Sequence, residues 1–102
     1  MISISVSEGA SIHAGRRRNS GVLVYRDVLK NGEFIPKAMI GSDRGGLFIL
    51  ADNSSVPVWV EKEFFDQLEG FSLSISLDRG LVKRLKVEIV PLKAELGHYL
   101  SA

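Results

Sequence analysis

Three consecutive arginines, Arg16, Arg17 and Arg18, follow His13 and sit between Gly15 and Gly21 in the segment Ser11–Ser20. Guanidinium groups are planar forks that grip phosphate and stack on bases, and glycines let a ligand approach the backbone. The chemistry on offer is an anion or nucleotide clamp. The plainer reading is a solvated loop whose charges pair with nearby carboxylates, the commoner fate of a short charge run. A second candidate is Ser42-Asp43-Arg44-Gly45-Gly46, which leads into Leu47-Phe48-Ile49. Ser and Asp at a tight turn bond the local backbone and glycine supplies positive φ, so these residues also make an ordinary hairpin turn. The spacing does not match a Walker loop. A glycine-rich dinucleotide loop requires a following helix, where this sequence reads as a strand.

Catalysis and metal chemistry find little in the chain. His13 and His98 are the two histidines, far apart in sequence, and there is no cysteine. That leaves no triad, no thiolate site and no metal-ligand spacing. Glu61, Glu63 and Asp66 read as the wet face of a short helix. The chain is expected not to be an enzyme and to carry no cofactor and no metal. Trp59, Phe64 and Phe65 are the remaining candidates. Aromatics near a sheet edge form partner-binding patches as well as cores. Phe64 and Phe65 cannot both point inward from one helix, which makes an interaction surface of Trp59, Phe64 and Phe65, or an oligomer interface, the expectation there.

The elements that hold these residues show a period of two. Ile2, Ile4 and Val6 alternate with serines, as do Phe71, Leu73, Ile75 and Leu77, while Leu85, Val87 and Ile89 alternate with charged residues. A strand turns successive side chains to opposite faces, so each segment has one apolar and one wet face. Asn31-Gly32 reads as a two-residue type I′ turn between Gly21–Lys30 and Glu33–Gly41. Asp43-Arg44-Gly45, Asp52-Asn53 and Asp78-Arg79-Gly80 separate the later strands, and Pro57 suits an edge or a bulge. Two short helices are expected, at Glu61–Glu69 and at Leu92–Leu100. The fold class is mostly β: a small antiparallel meander or Greek-key barrel of six to seven strands with one or two short helices, forming one domain over residues 1–102.

Composition narrows the partners. Thirteen basic residues oppose twelve acidic ones, for a formal net charge of +1, which argues against nucleic acid. The N-terminal stretch lacks the pattern of a signal peptide, and no apolar run approaches the roughly 20 residues of a membrane helix. The expectation is a cytoplasmic protein with no membrane contact.

The arginine cluster followed by Ser42-x-x-Gly45 and an apolar strand resembles the PilZ domain, a small β-barrel of which many members bind cyclic di-GMP. Leu68-Glu69-Gly70 followed by an alternating strand is similar to a later part of that family, so the likeness in layout runs over residues 16–90. It implies cyclic di-GMP, or another anionic nucleotide, held by Arg16, Arg17, Arg18, Ser42, Arg44 and Gly45. The family's acidic or amide position falls here on Ile40, and Ser20, Gly21 and Val22 stand where a further arginine belongs. Family members without the ligand set serve as protein-interaction modules. The leading functional expectation is therefore a non-enzymatic interaction, assembly or adaptor module that meets a protein partner or itself, such as an accessory protein of a bacterium, phage or mobile element.

Overall fold

The computed structural model describes residues 3–16, 19–43, 45–80 and 83–91. Its layout follows from Gly21-Val22-Leu23-Val24, a run with no polar side chain for either face. Such a run needs cover on both sides, and all four residues are buried. They begin β2 (Gly21–Val28), an inner strand of a four-stranded sheet. β3 (Phe34–Gly41) flanks it antiparallel on one side, and β5 (Val58–Glu61) runs parallel to it on the other. β4 (Phe48–Asp52) completes the order β3-β2-β5-β4. The second sheet has three strands. β1 (Ser3–Val6) runs parallel to β6 (Phe71–Arg79), which pairs antiparallel with β7 (Lys83–Pro91).

The described residues thus form a mostly β fold of seven strands with two helices, α1 (Glu8–Ala14) and α2 (Lys62–Gln67). The pairing is mixed, and the two sheets do not close into a barrel. Alternation within a strand does not specify its neighbours, so a simple meander is not what these strands make. β3 and β4, consecutive in the chain, lie at opposite edges of their sheet.

Side-chain parity places the core between the sheets. Val22 and Val24 of β2 are register partners of Val58 and Val60 of β5, and all four are fully buried. Leu73 and Ile75 face them from β6. Their serine neighbours point the other way, as the period of two requires. Ala10 and Ala14 of α1, one helical turn apart, close one side, and Phe64 and Leu68 close another. The four-residue spacing of Val60, Phe64 and Leu68 is the set expected for a helix after residue 60. The expected helix at Leu92–Leu100, with His98, lies outside the described residues.

Two local readings change. Ser11–Ala14 belongs to α1 and not to a loop. Ser7 caps this helix, its Oγ accepting from the Ala10 N–H at 3.2 Å. An apolar face of two alanines, interrupted by Gly9, leaves little periodicity to read. The hairpin between β2 and β3 is also longer than a two-residue type I′ turn. The Leu29 N–H donates to the Glu33 carbonyl at 2.7 Å, and the Asn31 side chain accepts from the Glu33 N–H at 3.0 Å. Gly32 alone takes positive φ in this loop, at 85°. That conformation favours glycine and lets one extra residue bulge out.

The hairpin is fastened to α2 by stacked contacts. The Phe34 ring meets Phe64 edge-on, with centroids 5.6 Å apart and planes at 78°. Arg26 lies over Phe34 at 6.0 Å and reaches Glu63 Oε2 at 2.8 Å. Phe64→Ala is expected to cost about 3–5 kcal/mol, because it opens a cavity in the core and removes this ring contact. Arg26→Ala should cost about 1 kcal/mol or less, since Glu63 is well exposed. Gly21→Ala is expected to destabilise by at least about 1–3 kcal/mol, the range for overpacking. Its Cβ would overlap the Pro57 carbonyl oxygen, which accepts the Val22 N–H. Urea unfolding of the three variants gives the ranking.

Candidate functional site

Gly21, which follows the arginine segment, and Gly41, which precedes the glycine turn, are register partners at the start of β2 and the end of β3. The surroundings of the two segments differ. Arg16 is exposed just past the C-terminus of α1 and lines a shallow recess with Val6, Ser11, Ile12 and Ser55. Ser20, at the other end of the loop, donates its hydroxyl to the Ala14 carbonyl at 2.6 Å. Ser42 is half-buried after β3, and Gly45 is exposed. The turn is closed from within, the Asp43 carboxylate accepting the Gly46 N–H at 3.1 Å. Arg17, Arg18 and Arg44 lie outside the described residues.

The aromatic candidates separate by face. Phe64 is 1% exposed and belongs to the core. Phe65 is half-buried and packs against that core from the side. Trp59 points the opposite way from Val58 and Val60, onto the outer face of the four-stranded sheet.

Register shows what surrounds Trp59 there. Leu23 pairs with Met39 on one side and with Trp59 on the other, and Trp59 pairs with Leu50. Met39, Leu23, Trp59 and Leu50 therefore form one apolar row across all four strands, β3-β2-β5-β4. Directly paired residues in adjacent strands bring their Cβ atoms within about 4.5–5.5 Å, so the row is continuous. Its two ends are open, with Met39 49% and Leu50 52% exposed. Leu23, in the middle, is 9% exposed. The outer face of a sheet that meets only water carries polar side chains. This one does not. Trp59 was visible in sequence as a lone aromatic. Met39, Leu23 and Leu50 gave no separate signal, since only the register joins them. The apolar odd position of β2, Leu23, is the clue that was available.

Metal ligation has no footing among the described residues, where no group of three or more His, Cys, Asp or Glu side chains is placed to hold an ion. Nor is any helix among the described residues long and apolar enough to cross a membrane.

No family model matches this sequence, and no curated protein matches it. The structure is similar to the crystal structure of Escherichia coli SufA, a protein involved in the biosynthesis of iron-sulfur clusters. The likeness has a TM-score of 0.63 at 14% sequence identity and covers 84% of this chain and 79% of that one. The fold is thus SufA-like. This corrects the PilZ resemblance, and cyclic di-GMP loses the support that came with it. The strands form two mixed sheets and not that family's barrel. Ser-x-x-Gly turns and alternating strands serve many β folds, which is why the layout matched without the fold.

An iron-sulfur cluster is the group this likeness raises. Clusters are held by cysteine thiolates, and these 102 residues contain no cysteine. His13, the one described histidine, has no metal-binding companions. The residues present do not fit a cluster. Anaerobic incubation with ferrous iron and sulfide, followed by desalting, is expected to leave the chain without visible iron-sulfide absorbance. Stoichiometric iron and sulfide retained on the protein would refute this.

Proposed function

We propose that the chain is a non-catalytic protein-interaction or assembly module that docks a protein on the outer face of its four-stranded sheet. The observation that carries this reading is the row Met39–Leu23–Trp59–Leu50. Contiguous exposed apolar surface beyond about a few hundred Å² marks a site of association in soluble proteins. Aromatic residues and Met are the types enriched at such interfaces. The row supplies those residue types in Trp59 and Met39, and Leu23 at its centre is already shielded, so a partner would cover its open ends.

The likeness to SufA supports an assembly-type role, because that fold serves a protein of a biosynthetic assembly process. Without thiolates, this chain would act there by contact and not by holding a cluster. Fold alone does not assign function, and the surface row is the stronger support. It also accounts for Trp59 without a substrate pocket.

Met39→Glu and Leu50→Glu each place a charge at an open end of the row and should leave the thermal midpoint nearly unchanged, since both positions are about half exposed and surface substitutions stay within about 0.5 kcal/mol. Wild-type chain is expected to sediment above its monomer mass at high concentration, or to retain a protein on an affinity column, and each variant to lose that behaviour. A strictly monomeric wild type that retains nothing the variants fail to retain would overturn the proposal.

A further inference from the structure

The apolar row on the outer face of the four-stranded sheet is small. Three inter-strand spacings of about 4.8 Å separate Met39 from Leu50, which makes the row about 14 Å long. Along the strands the same face continues for one further position. There Tyr25 stands beside its register partner Lys37, and Phe48 beside Glu61. In the other direction the pair Gly21↔Gly41 carries no side chain. The field that a partner meets is therefore of the order of a few hundred Å², against about 800 Å² per partner in a standard interface between folded proteins. A second copy of this chain, or another folded domain, needs more surface than this.

The relief of the row is uneven. Leu23 is folded down over Gly41, where an added Cβ would stand 2.9 Å from Leu23 Cδ1. Leu23 is 9% exposed, whereas Met39 and Leu50 at the ends are about half exposed. Trp59 is half-buried. The row is thus lowest at β2 and rises toward its two ends. The charges on its border are already answered within the chain. Lys37 pairs with Asp27 at 3.1 Å, and Glu61 with Arg26 at 3.8 Å.

We infer that the partner seated on this face is a single amphipathic helix, held by its apolar stripe and not by charge. The inference rests on reading this face as a docking site, and it gives the occupant a chemistry. Backbone hydrogen bonding decides between a helix and an extended segment. The N–H and C=O groups of a sheet lie in its plane and are directed at neighbouring strands, so its face offers none to a chain lying on it. An extended segment pressed against this row would leave backbone groups desolvated and unpaired. A helix satisfies its own backbone and brings only side chains to the surface. Its dimensions also suit the row. Successive turns rise about 5.4 Å, close to the strand spacing, and about ten residues span 14 Å. Anchors spaced i, i+4 and i+7 then meet Met39, the low point at Leu23 and Trp59, and Leu50. A membrane surface is the other apolar partner to weigh. It favours a rim of free lysines and arginines, whereas Lys37 on this border is paired.

The single tryptophan of the chain lies in the row, so its emission reads the site directly. The probe is a synthetic helix-forming peptide of about twelve residues, long enough to span the row. It carries leucines at that spacing on an alanine, glutamate and lysine background, and no tryptophan. Added to the full chain, it is expected to shift Trp59 emission to the blue with saturation and to gain helical circular dichroism. Its affinity should hardly change as salt rises, because salt screens charge pairs and none is used. A scrambled peptide of the same composition, and the stripe peptide with a central proline, should not bind. Met39→Glu and Leu50→Glu should each weaken the stripe peptide about tenfold or more, because a carboxylate is then desolvated against leucine. No saturable shift at high micromolar peptide, equal binding of the scrambled peptide, steep salt dependence, unchanged affinity in both variants, or tighter binding to phosphatidylcholine–phosphatidylserine vesicles would each overturn the inference. Sedimentation and partner retention keep it apart from the docking reading itself. If the peptide fails while Leu50→Glu still abolishes self-association or retention of a folded protein, only the helix falls. If the peptide fails and those behaviours are absent too, the docking reading falls with it.

Discussion

A strand with no polar face cannot lie at the surface of a sheet, and that constraint on β2 organises the rest of this protein. Val22 and Val24 require a core on one side, and Leu23 requires apolar company on the other. The inner requirement is met by Val58 and Val60 beside them and by the second sheet and two helices across from them. The outer requirement is met by Met39 and Trp59. Having a neighbour on each edge makes β2 internal, and the close approach of Pro57, just before β5, leaves room at position 21 for nothing larger than glycine. The apolar outer row and the internal position of β2 are thus two results of the same four residues.

The strands were legible where one face is wet and the other dry. Serines between Phe71, Leu73, Ile75 and Leu77 announce β6, and charged residues between Leu85, Val87 and Ile89 announce β7. What pairs with what was not legible. The parallel partners of β1 and β2 lie dozens of residues away, and side-chain alternation holds no information about them. α1 was missed for a different reason: alanines bury a helix face without the large apolar side chains that reveal one. Asn31-Gly32 marks the turn, but the dipeptide does not show that the loop spans the three residues between Leu29 and Glu33, whose backbones are hydrogen-bonded.

The candidate site was legible by residue type more than by location. Arginine chemistry drew attention to Arg16, whose surroundings are a shallow recess. Trp59 was conspicuous as the single tryptophan. Its role depends on three residues from three other strands, and only a folded register gathers them. A SufA-like fold without cysteine also shows how little a scaffold fixes the chemistry placed on it.

The hairpin of β2 and β3 extends beyond the rest of its sheet. β5 accompanies β2 only from Val22 to Val24, whereas β3 stays with it to Val28. The outer half of the hairpin is a two-stranded arm, tied back through Arg26, Phe34 and Phe64. Two-stranded ribbons are marginal by themselves, so this arm is the part of the sheet best placed to separate from the body while the core stays intact. Regions with few neighbours open at a fraction of the global unfolding free energy. The molecule therefore has two tiers of stability, a cooperative body around β2 and an arm tied back to it through the Phe34–Phe64 contact, the ion pairs of Arg26 and the neighbouring β7.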